Sequence, residues 1–157
     1  MAPGFIQGFA DWLAPTSALP IHVAQQGERI LPGHAYIAPD GFQMKVGMGG
    51  QLFLAEDDPE NGHRPSVCYL FRSVAGIYGS KAVGVLLTGM GRDGAEGLKT
   101  MRDMGAVTIA QDQESSVVHG MPGEAIRLDA ATYVLPPNRI AATLAQLANK
   151  KRTSWEH

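Results

Sequence analysis

Ala82-Val83-Gly84-Val85-Leu86-Leu87 is an unbroken apolar run. A strand that is apolar on both faces needs cover on both, which is the setting of a parallel strand between layers of helices. The residues beyond it keep the same alternation. Gly94 to Met104 has helical periodicity, and Val107 to Ala110 is a second apolar run. A short helix is expected over 121–128 behind Pro122, then a brief strand at Tyr133-Val134-Leu135, then a helix from Arg139 to Lys150. Strands and helices in this order call for right-handed parallel crossovers. The chain is therefore expected to be α/β, with a doubly wound, mainly parallel sheet.

The first half reads differently. Phe5, Ile6, Phe9, Trp12 and Leu13 recur at helical spacing behind Pro3, which predicts an amphipathic helix over 4–13. Short strands are expected at Ile21–Ala24 and Ala35–Ala38, and Gln43–Val46 with Gln51–Leu54 reads as a small antiparallel hairpin around Gly47-Met48-Gly49-Gly50. Residues 55–65 are turn-like, and Ser66 is placed to cap a helix running to Tyr78. With 157 residues the chain has one domain's length, read as residues 1–149 with a tail over 150–157. Thirteen Lys and Arg against fifteen Asp and Glu give a net charge of −2, with no basic footprint for nucleic acid. The single cysteine excludes an internal disulfide framework and a cysteine-cluster zinc site. The apolar runs are too short to span a bilayer, and no secretory signal is visible at residues 1–20. A cytoplasmic location is the expectation.

Gly89-Met90-Gly91-Arg92-Asp93-Gly94 follows the buried strand and opens a helix, and Asp112 stands 18 residues farther on. By position alone this is a dinucleotide-binding fingerprint. Asp93 opposes that reading, because its carboxylate would repel a phosphate at the helix start. It has two other uses. It can cap the helix it precedes, or it can be aimed at a partner from the carboxyl end of a parallel strand, where sites in open α/β sheets form.

The segment from Val85 to Leu98 resembles the signature of the chemotaxis protein-glutamate methylesterases, the CheB catalytic domain. So do Asn61-Gly62-His63-Arg64-Pro65-Ser66-Val67, Ile109-Ala110-Gln111-Asp112 with Ser116 to Pro122, and Gly33 to Pro39. The resemblance runs from Met1 to about Leu147. It implies a doubly wound, mainly parallel α/β fold. It also implies hydrolysis of γ-glutamyl methyl esters, and deamidation of glutamines, on chemotaxis receptors by a Ser-His-Asp mechanism. Asp93 matches the family's aspartate. Met90 matches the residue whose backbone N–H stabilises the oxyanion.

The family's serine lies in a Gly-x-Ser-Thr-Gly-Gly loop, and none of Ser17, Ser66, Ser73, Ser80, Ser115, Ser116 and Ser154 stands in such a loop. Its base is a histidine just ahead of a Pro-Gly-Phe, which here is Pro3-Gly4-Phe5. The resemblance thus places nucleophile and base before Met1, with a βα portion of the family fold. The chain alone is expected to be inactive, and strands expected to be interior would become edges with unpaired amides. The alternative is a non-catalytic remnant that binds receptor helices or a receiver domain; a receiver domain encoded upstream is a further expected partner.

The other reactive side chains have plainer readings. His63 is expected at the pocket rim, and His119 in packing. His22 and His34 lie near strands and His157 in the tail. No histidine pair has metal-ligand spacing, and no metal or cofactor is expected. Cys68, where the family often has Asp, reads as a buried inert thiol. Met101 and Met104 read as core filler on the helix after the glycine loop.

Overall fold

A computed structural model describes Ala2 and residues 4–153, with side chains through 150. Met1, Pro3 and residues 154–157 lie outside the described residues, and with them the helix start at Pro3, Ser154 and His157. The elements run α1 (Phe5–Leu13), β1 (Ile21–Val23), β2 (Ala35–Ile37), β3 (Gln43–Val46), β4 (Leu52–Ala55) and α2 (Val67–Tyr78). Then follow β5 (Val83–Leu86), α3 (Ala95–Asp103), β6 (Val107–Gln111), α4 (Met121–Arg127), β7 (Tyr133–Leu135) and α5 (Pro137–Thr153). The tail expected from Lys150 thus starts inside α5.

The parallel strands fall into two ladders. β1 pairs with β2, Ile21 opposite Ala35. β6 lies between β5 and β7, with Val85 opposite Ile109 and Ile109 opposite Tyr133. Among the described residues no ladder joins the two pieces, so β5 has a strand partner on one side only. β3 and β4 form the expected antiparallel hairpin.

Three apolar clusters fill the interior. Leu86, Ala95, Leu98, Ala110, Ala125 and Ala130 lie between the three-stranded sheet and helices α3 and α4. Ala75, Ala82, Met101 and Ala106 seal the junction of α2, α3 and the sheet. Ala24, Met44, Val46 and Leu52 hold the hairpin against Leu70 and Val74 of α2. α2 is therefore the shared wall between the two halves. Met101 is in the core as expected, but Met104 is 52% exposed. It closes α3 just before Gly105, whose φ of 90° turns the chain away, so its side chain leaves the buried face.

Small residues set the spacing of these layers. A Cβ built on Gly97 would lie 2.9 Å from the Cα of Cys68 and 2.9 Å from the Cβ of Phe71. α2 and α3 therefore cross almost backbone to backbone. That contact brings the start of α2 to the glycine loop.

Candidate active site

Asp93 is buried, 3% exposed, at the carboxyl end of β5. It does not cap α3: Gly94, with φ of 90°, holds that position and offers no side chain. The carboxylate turns instead to the start of α2. Its Oδ2 accepts from the Val67 amide at 2.7 Å. Its Oδ1 accepts from the Ser66 hydroxyl at 2.7 Å, the Cys68 amide at 3.3 Å and the Asn61 side-chain amide at 3.3 Å. Ser66 is the N-cap residue of α2, as its sequence position predicts, and its hydroxyl also accepts from Tyr69 N–H. One carboxylate thus completes the positive end of a helix remote in sequence.

These donors decide the charge state. Burial raises the Asp93 pKa, and the hydrogen bonds from Val67, Ser66, Cys68 and Asn61 more than offset it. The carboxyl group is held below its ordinary value of 3.8. A depressed folded pKa contributes stability that is complete above the unfolded value and is lost as pH falls through the folded one. The urea midpoint of the native chain should therefore drop more steeply below about pH 4 than that of the Asp93→Asn variant. Equal slopes for the two would remove Asp93 from this account.

Two amides at the start of α3 are already bound. Gly94 N–H and Gly97 N–H donate to Cys68 Sγ at 3.1 and 3.4 Å. Cys68 is fully buried, and burial raises its thiol pKa, as expected of an inert cysteine. The buried, ionised Asp93 and these two occupied amides oppose a pyrophosphate at the start of α3, against the dinucleotide reading.

The loop ahead of Asp93 is held by its backbone. Gly89 N–H donates to Val118 O, while Gly89 O accepts from the amides of Gly120 and Met121 at 3.2 and 2.9 Å. A planar trans peptide points its C=O and its N–H in opposite directions. The Met90 N–H therefore points away from α4, and no described residue accepts from it. Thr88 is fixed on both flanks, its amide donating to Gln111 and its hydroxyl to Val118 O. Gly120 has no room for a side chain: a Cβ there would lie 2.7 Å from Gly89 O and 2.9 Å from Gly91 N. Gly120→Ala should cost roughly 1–3 kcal/mol in urea unfolding by pushing on this loop. A loss under 0.5 kcal/mol would show that the loop yields freely.

Asp93, Gly89 and Met90 line one pocket of about 340 Å³ together with His63, Pro65, Val67 and Met121. His63 takes the rim position expected for it. His119 is half-buried against Gly123 of α4, with Nδ1 3.3 Å from Ser116 Oγ. Asp112, Ser115, Ser116 and His119 form a local cluster, but Ser116 Oγ donates to Asp112 O and Ser115 bonds the Asp112 carboxylate. The carboxylate does not touch the imidazole, so this is not a nucleophile–base–aspartate relay. Ser66 donates straight into Asp93 and is buried. Among the described residues no group of three His, Cys, Asp or Glu side chains gathers as metal ligands. No described helix is long and apolar enough to cross a membrane.

Sequence reasoning named Asp93 and Met90, and the pocket brings them together. It missed the Cys68 sulfur as an amide acceptor, Asn61 and Ser66 as donors to the carboxylate, and Gln111 and Gly120 as supports of the loop. The Asn61–Val67 and Gly120–Pro122 blocks were visible as motifs, but nothing in spacing told that they meet the glycine loop.

Known proteins are similar to this chain in sequence and fold. Residues 1–144 match the family model described as CheB methylesterase. A protein-glutamate methylesterase/protein-glutamine glutaminase of Nitrosospira multiformis is 58% identical over 151 residues, covering 96% of this chain and 42% of that protein. Another, from Geobacter metallireducens, is 60% identical over 152 residues, covering 96% and 44%. The chain thus spans under half the length of these relatives. The crystal structure of the Thermotoga maritima CheB methylesterase catalytic domain superposes with a TM-score of 0.89 at 40% identity, covering 94% of this chain and 79% of that one. Sequence and fold agree over nearly the whole length, and the chain belongs to the CheB methylesterase family.

Proposed function

We propose that residues 1–149 are a catalytic-domain segment supplying the aspartate and the oxyanion donor of a serine-type ester hydrolase. Its substrates would be γ-glutamyl methyl esters, and glutamine side chains, of chemotaxis receptors in the cytoplasm. One observation carries the reading: a buried, ionised carboxylate with an open acceptor position shares a pocket with an unpaired backbone amide. Three donors crowd Oδ1 of Asp93, but Oδ2 takes only the Val67 amide. A carboxylate oxygen has two lone pairs, so Oδ2 with its one donor keeps a place open. The second place on Oδ2 suits an imidazole Nδ1–H, which it would hold in one tautomer and stabilise when protonated.

The Met90 N–H supports the other half. A donor fixed by its own peptide plane costs no reorganisation as negative charge grows on a carbonyl oxygen. The reaction then needs a serine oxygen and a histidine. Attack by the serine would release methanol from an ester, or ammonia from an amide, and water would cleave the acyl-serine to leave a glutamate carboxylate. By the family resemblance, both groups belong to a segment ahead of Pro3.

The test is methanol release from methylated receptor membranes. This chain is joined to the preceding segment of the Nitrosospira multiformis relative, which by that resemblance contributes the serine and histidine. Release by the joined chain, and none by the 157-residue chain alone, is the expected result. Joined protein that folds yet releases nothing would sink the reading and favour a non-catalytic binding role.

A further inference from the structure

In the chain Arg92 follows Met90 by two residues and directly precedes Asp93, and it is exposed. Arg64, Arg72, Arg102 and Arg127 all bond to oxygens of this chain. The Arg92 guanidinium, like those of Arg29 and Arg139, bonds to none of the described residues. Its field reaches Glu124, whose pKa it helps to lower, but Glu124 is already engaged by Arg127.

Met90 lines the pocket, and the Val117–Val118 segment is bonded to the loop that carries it. Met90 is 79% exposed, Val117 90% and Val118 41%. They form one apolar shelf, because Val118 O takes the Gly89 amide and the Thr88 hydroxyl, and Val118 N–H donates back to that hydroxyl. Exposed apolar side chains grouped beside a pocket suit a docking partner. A neutral ester gives a cation nothing to hold, so Arg92 is not placed for the reacting group itself.

We infer that this rim is a recognition surface for an amphipathic, acidic peptide segment. An apolar side chain of the partner would lie on Met90, Val117 and Val118, and a free carboxylate would pair with Arg92. The occupant follows from charge complementarity and from the shelf being continuous with the pocket through Met90. Arg92 is two residues from Met90, at most about 7 Å along the chain. With the reach of the arginine side chain added, a carboxylate one or two helical turns, about 5.4 Å each, from the residue entering the pocket can pair with it. This inference rests on the proposed function only for what enters that pocket.

The experiment uses the 15N-labelled 157-residue chain and a helical peptide. The peptide has a glutamate γ-methyl ester, a glutamate four residues before it and a leucine three residues after it. Saturable shifts are expected at Met90, Arg92, Val117 and Val118. Arg92→Ala should weaken binding roughly three- to fivefold at low salt, the usual scale of an exposed ion pair. Changing the peptide's free glutamate to glutamine should give the same loss, with no further loss when both changes are combined. Val117→Asp should weaken binding about tenfold by placing a charge on the apolar shelf and against an acidic partner. In the joined, active protein Arg92→Ala should raise KM and leave kcat alone. Binding by Arg92→Ala and Val117→Asp within twofold of the native chain, or shifts confined to other faces, would overturn the inference. The two readings separate cleanly. Peptide binding through Arg92 without methanol release by the joined chain removes the hydrolase and keeps the surface. Release with a KM indifferent to Arg92 does the reverse.

Discussion

Asp93→Asn in the joined, serine- and histidine-bearing protein is expected to lower methanol release by about 10⁴ in kcat. Asparagine keeps the size of the side chain but not its charge. Four donors converge on Asp93: two backbone amides, a hydroxyl and a side-chain amide. An asparagine would need its oxygen on one side of that cluster, and its NH2 would then face another donor. If the oxygen serves Ser66, Cys68 and Asn61, the NH2 points to Val67 and to the place of the imidazole. The histidine would then meet a donor where it needs an acceptor, and would adopt the wrong tautomer. The loss should fall on kcat and leave KM nearly constant, since the carboxylate orients another catalytic group rather than the ester. The measurement is initial-rate methanol release over a range of receptor concentrations. A loss below tenfold in protein shown to be folded would mean that Asp93 is only the cap of α2.

The second large effect is expected where α2 and α3 cross. Gly97→Val should destabilise the chain by about 3 kcal/mol or more, at the top of the usual range for overpacking. A Cβ at this position already lies within 2.9 Å of the Cys68 Cα and 3.2 Å of the Cys68 carbonyl oxygen. These are backbone atoms and cannot swing aside as a side chain tip could. Valine adds two methyl groups to a contact with no space for one. The helices must part, which also lengthens the Gly97 N–H to Cys68 Sγ contact and frees the anchor of Gly94. Urea unfolding of the two chains reads the cost. A change under 1 kcal/mol would show that α2 and α3 separate easily and that their close approach is incidental.

Much of this was legible before any coordinates. The continuous run over 82–87 became β5, and Ser66 became the cap of α2 because cap chemistry is local. The alternation of strands and helices gave the parallel order of β5, β6 and β7. Asp93 stood out in the glycine loop, while its catalytic role and Met90 came from the family resemblance. What the loop could not tell was where the carboxylate points. The natural reading joined Asp93 to the helix it precedes, whereas it serves a helix that starts 26 residues earlier, at Val67. That choice depends on Gly97 letting two helices close, and a pairing across space leaves no periodicity in the chain. The fate of Met104 shows the same limit in small: helical spacing marks a face, but the helix ends at Asp103, just before Met104 could join it.

The carboxylate of Asp93 has a further consequence as the electrostatic lid of a helix. Whatever loosens the first turn of α2 also releases the group proposed to hold the base. Helix ends open at far lower free energy than whole domains. On warming, such a protein would lose its chemistry while its sheet and inner clusters still stood. A substitution in α2 far from any substrate could then act as a dial on turnover. The same hydrogen bonds that hold the carboxylate ready would set the temperature range in which the molecule works.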